Sequence, residues 1–216
     1  MPFYVFALVD ARPSARAGRG FAAAVSVRPV AGGFAAVERR ADVPPLEFGS
    51  LRAHERTVDR LASLVPAILP VRFGTLVDED ELDTILGDRD DDIADAFDLV
   101  RGRVQFTWRS AVRGRAASPP RAKSAARSGA DYLRRAARAA NPAPPPSFRR
   151  VTSLARLAVQ ERFAAAAPPL TGALYHLVER ERADAYAAAA TSLRAGTPAL
   201  AWSGPFAPYA FVPELL

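Results

Sequence analysis

Three strand-like segments precede the first helix-like segment in this chain, and their order restricts the fold. Phe3–Val9 is an unbroken apolar run, and residues 21–27 and 34–39 form two further apolar runs. The breaks at Pro29 and Gly33, between the second and third runs, are typical of a hairpin. Parallel α/β sheets alternate strands with helices from the start. The order found here therefore predicts an α+β fold.

Helical spacing of apolar residues begins after Ser50, which is the predicted N-cap of the first helix. Apolar positions then recur every three or four residues and predict one buried stripe, made of Leu51, His54, Val58, Leu61 and Val65. A short strand is predicted at 68–73. Two short amphipathic helices follow, with apolar residues within 82–86 and 93–100, and their acidic residues are expected to face solvent.

The second half of the chain also mixes both kinds of element. Residues 103–109 alternate, which predicts a half-buried strand with Gln105 and Thr107 largely toward solvent. Further helices are predicted at 131–140, 148–167 and 179–194, and further strands at 170–178 and 198–202.

This pattern predicts two small domains that meet near residue 101. The first spans 1–101, and the second spans 102–206 and contains a basic connection at 111–128. Residues 207–216 form a tail rich in proline and aromatic residues. We expect this tail to pack back on the domains.

Charge is strongly segregated along the chain. Residues 78–98 carry eleven acidic side chains and one basic side chain, whereas residues 101–160 carry fourteen basic and one acidic. Such blocks either attract each other within the molecule or bind two different partners. The basic block makes nucleic-acid binding the alternative function. Arginine supplies 28 of the 29 basic residues throughout the chain, as codon bias alone can produce, so the basicity is weak support for that alternative.

Composition excludes several kinds of site. The chain has no cysteine and only two histidines, so it lacks a disulfide framework, a thiol nucleophile and a multi-histidine metal centre. Asp88, Asp90 and Asp92 resemble the start of a calcium loop, but the glycine and the closing glutamate that such a loop requires are missing. We therefore predict no catalytic residue, cofactor or metal. No apolar stretch reaches the roughly 20 residues of a membrane span, and no secretion signal begins the chain, so we expect a cytoplasmic protein without a membrane partner.

Three residues could nevertheless form a polar site. His54 and Glu55 are a conceivable acid–base pair, although a core-edge histidine bonded to a backbone carbonyl is favoured. Arg72 interrupts an apolar strand and is predicted to pair with Glu55, because an unpaired buried charge is costly. An enzyme would require all three in one open polar pocket.

The last aromatic residues of the chain are the candidate partner-binding residues. They are separated by prolines, which prevent helix and central-strand structure, and they are Trp202, Phe206, Tyr209 and Phe211. Such a segment either packs across its own domains or inserts into a groove of a partner.

Four segments together resemble the gas vesicle protein F/L (GvpF/GvpL) family. Leu51-Arg-Ala-His-Glu-Arg-Thr-Val58 and Ile68-Leu-Pro-Val-Arg-Phe-Gly-Thr75 are similar to its signature, which places His54, Glu55, Pro70, Arg72, Phe73 and Gly74 in family motifs. Gly129-Ala-Asp-Tyr-Leu133 resembles a helix start of the family, and residues 202–212 resemble its closing Gly-Pro-aromatic-Pro-Pro-Tyr-x-Phe pattern. The Phe206-Ala207 pair and the strand at 103–109 depart from the family pattern and leave the F-like or L-like subtype open.

The resemblance implies a protein that helps to build gas vesicles and is not an enzyme. It implies two α+β domains, the C-terminal one a modified ferredoxin-like fold. It also implies a minor component or assembly factor, located at gas vesicles in the cytoplasm, that contacts the very hydrophobic shell protein and other accessory proteins. The surface that binds each partner, retention in the mature vesicle and the oligomeric state are left open.

Overall fold

A computed structural model describes residues 1–110, 143–166 and 172–213. Contacts within the chain divide it into two units. The first unit contains Met1–Val104 together with Phe206–Leu216, and the second contains Gln105–Pro205. The predicted domain boundaries and the ferredoxin-like description of the second domain stay predictions.

The first unit is built on an antiparallel sheet whose central strand is covered on both faces. The sheet has the order β2-β3-β1-β4, with β5 also paired to β1. Every residue of β1 is buried, which explains its uninterrupted apolar sequence. The strands are β1 (Phe3–Val9), β2 (Ser26–Val30), β3 (Gly33–Arg39), β4 (Ile68–Pro70) and β5 (Leu76–Val77).

Three helices complete the first unit, namely α1 (Phe48–Ala62), α2 (Glu79–Gly87) and α3 (Asp90–Val100). Val58 and Leu61 of α1 pack with Tyr4 and Phe6 of β1 in one apolar core. Of the predicted apolar positions of α2 and α3, Leu82, Leu86, Ile93, Phe97 and Val100 are buried and Ile85 is half-buried.

The predicted start of the first helix is wrong. The N-cap is Glu47 rather than Ser50, and the helix begins at Phe48. Leu51 was expected in the buried stripe, but 41% of it is exposed. Thr57 is buried instead, and its hydroxyl donates a hydrogen bond to the Ala53 carbonyl at 2.9 Å.

The strand predicted at 21–27 is also wrong, because this part of the chain wraps around a carboxylate. Glu38 is almost fully buried. Its side chain accepts hydrogen bonds from the N–H groups of Phe21, Ala22 and Ala23 at 2.7–3.2 Å. Three successive N–H groups that point at one side chain cannot form a sheet ladder, so β2 begins only at Ser26.

The charge blocks are partly paired inside the first unit. Arg28 of the sheet bridges Glu79 at 2.9 Å and Asp83 at 3.0 Å, so two members of the acidic block pair with a strand outside the basic block. Arg101 of the basic block pairs with Asp98 at 3.5 Å. Eight of the fourteen residues of the basic block lie within 111–142, outside the described residues. The choice between internal attraction and separate partners for the blocks as a whole therefore stays open.

The second unit contains an antiparallel sheet with the order β7-β8-β6-β9. Its elements are β6 (Arg103–Ser110), β7 (Gln160–Ala164), β8 (Ala173–Glu179), α4 (Ala183–Ala195) and β9 (Leu200–Phe206). Gln105 and Thr107 are buried, contrary to expectation. The Gln105 amide donates to the Thr107 hydroxyl at 3.2 Å, which satisfies both side chains inside the fold.

The helix predicted at 148–167 does not form. Two 3-10 turns occupy Pro146–Phe148 and Val151–Leu157, and β7 follows them. Pairing with β8 outweighs the helix propensity of this alanine-rich segment. The last strand runs to Phe206 rather than ending at residue 202, and Pro205 is tolerated because β9 is an edge strand. The helix predicted at 131–140 and the first residues of the strand predicted at 170–178 lie outside the described residues.

None of the described helices has the length and apolar composition that crossing a bilayer requires.

Candidate functional site

His54 lies inside the first unit, in a chain of hydrogen bonds with Tyr4 and Gly74. The Gly74 N–H donates to the Tyr4 hydroxyl at 3.1 Å, and this hydroxyl lies 2.9 Å from Nδ1 of His54. Both contacts are hydrogen bonds when Tyr4 donates to Nδ1, which places the histidine proton on Nε2. The sequence predicts a backbone carbonyl as the partner of His54. The structure places the hydroxyl of Tyr4, fifty residues away, at Nδ1, and the backbone of Val71 also acts on this ring by raising its pKa.

Burial keeps this histidine neutral. It lowers the pKa of His54 to about 4, and the backbone of Val71 opposes part of this shift. Nε2 has no partner with good hydrogen-bond geometry among the described residues. Burial also raises the pKa of Tyr4 to about 12, so the hydroxyl remains a donor at neutral pH. The pair is therefore suited to hold β1 against α1, since neither group exchanges a proton near pH 7.

Aromatic rings enclose this pair. The rings of Phe6 and Phe73 lie 5.6 and 5.8 Å from the His54 ring, and the Phe21 ring lies 4.9 Å from the Tyr4 ring. Phe73 and Gly74 come from residues 68–75 and His54 comes from residues 51–58, so the two segments meet around Tyr4. Gly74 has a φ of +96°, which favours glycine at this turn.

Glu55 and Arg72 do not join His54 in a polar pocket. Glu55 follows His54 on α1 but is exposed, because successive helical residues point about 100° apart. Arg72 lies beyond β4 in an exposed turn, so the strand predicted at 68–73 ends at Pro70. The pairing of Arg72 with Glu55 stays a prediction.

The second unit contains a buried polar chain that the sequence analysis missed. The Trp108 indole N–H donates to the Tyr186 hydroxyl at 2.8 Å, and this hydroxyl lies 2.6 Å from Nδ1 of His176. Nε2 of His176 lies 2.8 Å from a carboxylate oxygen of Glu161. Burial lowers the pKa of His176, while the carboxylate of Glu161 opposes the shift. Each of the four side chains takes part in a hydrogen bond, which is typical of a buried network that rigidifies a core.

Ionisable side chains do not converge on the open cavity of the second unit, nor do they form a metal site among the described residues. An open cavity of about 420 Å³ in the second unit has Arg150 as its one ionisable lining residue, and this side chain donates to the Gly196 carbonyl at 3.0 Å. Within residues 1–110, 143–166 and 172–213, no three His, Asp or Glu side chains lie close enough to hold a metal ion.

The first unit exposes an apolar segment immediately before and within the start of α1. Val43, Leu46, Phe48 and Leu51 are all large and exposed, and Leu46 and Phe48 expose 81% and 73% of their surface. We call these four residues the apolar patch. The Arg52 guanidinium lies 5.2 Å from the centre of the Phe48 ring. Sequence reasoning placed Leu51 in the core and passed over the other three. Val43 and Leu46 flank Pro44 and Pro45, and apolar residues beside two prolines could have indicated an exposed apolar segment.

The four tail aromatics differ in their accessibility. Phe211 is buried, and Ala207 belongs to the apolar core of the first unit. Trp202 is half-buried in the second unit, with its ring 5.9 Å from that of Phe106. Phe206 is half-buried, whereas Tyr209 exposes 37% of its surface. A role in partner binding stays a prediction for all four.

Comparison with known proteins identifies the family. The family model described as gas vesicle synthesis protein GvpL/GvpF matches residues 2–213. No curated protein matches the sequence significantly. The fold is similar to the crystal structure of GvpF from Anabaena sp. PCC7120, with a TM-score of 0.70 and 14% identity over 98% of this chain and 96% of that one.

The crystal structure of GvpF from Microcystis aeruginosa gives a second match. Its TM-score is also 0.70, with 12% identity over 97% of this chain and 98% of that one. At such low identity these structures support the fold alone, whereas the family model covers nearly the whole sequence. The chain therefore belongs to the GvpL/GvpF family of gas vesicle proteins.

Proposed function

We propose that this protein is a minor structural or assembly protein of gas vesicles that binds the hydrophobic shell protein during nucleation and assembly. Other accessory proteins of the vesicle are its further partners, and the complex forms in the cytoplasm at the growing vesicle. Membership of the GvpL/GvpF family supports the gas vesicle role. The apolar patch supports the binding role.

The physical reason is the behaviour of an unassembled shell subunit. A small subunit with large apolar surfaces aggregates before it is incorporated unless another protein covers those surfaces. The apolar patch concentrates four of the exposed large apolar side chains within residues 43–51 of the first unit. Exposed apolar groups in such a cluster mark protein-interaction sites more often than single ones do. No bond is made or broken in this role.

Co-expression with the shell subunit tests the proposal. We expect the subunit to appear in the soluble fraction and to co-purify with this protein when both are produced together. The matched control is the shell subunit produced with an unrelated soluble protein of similar size, which should leave it insoluble. A shell subunit that stays insoluble, or that stays soluble without co-purifying, contradicts the proposal.

A further inference from the structure

We propose that the hydrogen-bonded chain of Trp108, Tyr186, His176 and Glu161 is an acid-sensitive latch, which holds β7 on the sheet of the second unit at neutral pH and releases it when the surroundings acidify. We call these four side chains the polar latch. The inference concerns a local conformational change of the second unit and is independent of the shell-binding role proposed above.

The polar latch joins four elements of the second unit through side chains that are mostly buried. Trp108 belongs to β6, Tyr186 to α4, His176 to β8 and Glu161 to β7. The first three side chains are completely buried, whereas the side chain of Glu161 is 27% exposed. The latch therefore begins in the core of the unit and ends on a partly exposed strand.

One arrangement of protons makes every contact of the polar latch a hydrogen bond. The indole N–H of Trp108 can only donate, so the Tyr186 oxygen accepts from it and the Tyr186 proton points to Nδ1 of His176. The histidine proton then lies on Nε2, which donates it to the carboxylate of Glu161. The intact latch therefore requires a neutral His176.

A second proton on His176 breaks this arrangement. Protonated histidine donates from both ring nitrogens, so Nδ1 would face the hydroxyl proton of Tyr186 across a contact of 2.6 Å. Burial penalises the charged ring and lowers the pKa of His176, and the carboxylate of Glu161 opposes part of this effect. The latch groups around His176 are Glu161 from β7, Tyr186 from α4 and, through Tyr186, Trp108 from β6. Glu161 is the one charged group among them.

The strand β7 is the element that the loss of this contact releases. It is an edge strand whose neighbour in the sheet order β7-β8-β6-β9 is β8, and Phe163 is its one buried residue. The register places Glu161 directly opposite His176. β8, in contrast, has a strand on each side and five buried residues. Because local opening begins where few apolar contacts hold the chain, β7 opens before the other strands.

Release of β7 uncovers one edge of β8. The pairing between residues 160–164 and 173–177 is lost, and with it the partners of the backbone groups of β8 that face β7. Leu174 and Leu177 of this edge are fully buried in the closed state. An uncovered strand edge can pair with an extended segment of another chain. The polar latch thus makes access to this edge depend on pH.

Hydrogen–deuterium exchange of the full-length protein at pH 7, 6 and 5 tests the latch, with each rate divided by that of an unstructured peptide at the same pH. A histidine of the opened state has a pKa near 6.5, so the opened fraction should rise by up to about 25-fold between pH 7 and pH 5. We expect this rise at residues 160–164 and 173–177. The opposite edge strand, β9, is the internal control, because it has no titratable side chain and should not change.

Substitution of each histidine separates the latch from other effects of acid. His176→Gln should remove the pH dependence at residues 160–164, whereas His54→Gln, a change in the first unit, should leave it as in wild type. His176 is the one histidine left in His54→Gln, and its ring signal in NMR should titrate below pH 6.5. Glu161→Gln keeps His176 but removes its charged acceptor, so β7 should exchange roughly tenfold faster already at pH 7.

Three results would overturn the inference. Protection of residues 160–164 that stays constant between pH 7 and pH 5 would show that β7 is not released by acid. Equal losses of protection in β7 and β9 would show that the whole second unit unfolds and that no local latch exists. A pH dependence that persists in His176→Gln, or a His176 signal that titrates at pH 6.5 or above, would assign the effect to another group.

Discussion

Lowering the pH from 7 to 5 tests the buried position of His54. In the unfolded chain this histidine has a pKa near 6.5, whereas burial lowers it to about 4 in the folded protein. Between these values the unfolded state binds more protons than the folded state, so the free energy of unfolding falls as the pH falls. The full difference corresponds to about 3 kcal/mol, and about 2 kcal/mol of it is lost by pH 5.

The assay compares wild type with His54→Gln by urea unfolding at both pH values. His176 contributes an acid loss of the same sign, because burial lowers its pKa too. Asp59 changes the free energy of unfolding in the opposite direction, because its raised pKa lets the folded state bind a proton at a higher pH than the unfolded state does. Both groups are present in both proteins, so the difference between the two pH dependences isolates His54. We expect wild type to lose about 2 kcal/mol more than the variant.

The two tryptophans provide an internal control for this comparison. Trp108 and Trp202 both lie in the second unit, so their fluorescence reports that unit, while circular dichroism reports both units. The variant should change the pH dependence of the dichroism. Equal losses for wild type and His54→Gln would refute the neutral, buried state that we assign to this histidine.

Two further substitutions test the polar contacts in the core. Glu38→Gln replaces one of the two accepting carboxylate oxygens by an NH2 group, a donor that faces backbone N–H groups. It should lower the free energy of unfolding by about 2 kcal/mol and speed proteolysis at 19–23, whereas exposed Glu47→Gln should do neither. Unchanged cleavage there contradicts the role of Glu38 in ordering residues 21–23. Tyr186→Phe removes the hydroxyl that hydrogen-bonds to both Trp108 and His176. The variant should destabilise the second unit by about 2–3 kcal/mol. Urea unfolding measures this loss, and Tyr175→Phe is the control. Equal stability of these two variants argues against the network.

The parts of the fold that the sequence predicted correctly are those in which short-range pattern and burial agree. Phe3–Val9 was predicted to the residue, because a strand buried on both faces requires an unbroken apolar run. Ile93, Phe97 and Val100 were placed correctly, because helical spacing determines which side of α3 meets the sheet.

The errors occur where distant residues decide the local structure. The helix predicted at 148–167 has good helix formers, but Gln160–Ala164 pairs with β8 through contacts that its own sequence does not reveal. That register also sets Glu161 opposite His176, and the partnership with Tyr186 then depends on how α4 packs. None of these relations follows from spacing along the chain.

The candidate site was also predicted only where the local sequence pattern decides the structure. Sequence reasoning identified His54 as buried and the tail aromatics as candidate partner-binding residues. It could not tell that Phe211 is buried while Tyr209 stays exposed. It also placed Leu51 in the core, because a pattern of apolar residues gives the period of a helix but not its first residue. The early start at Phe48 exposes both Phe48 and Leu51.

The most direct test of the central claim is whether this protein prevents the shell subunit from aggregating. Shell subunit unfolded in denaturant is diluted into buffer that contains an equal amount of this protein, and aggregation is followed by light scattering. We predict that wild type and Val159→Asp, a control change at an exposed apolar residue of the second unit, suppress the scattering and that Leu51→Asp, a change in the apolar patch, does not. Scattering that rises equally with and without the wild-type protein would contradict the claim that it binds the shell subunit.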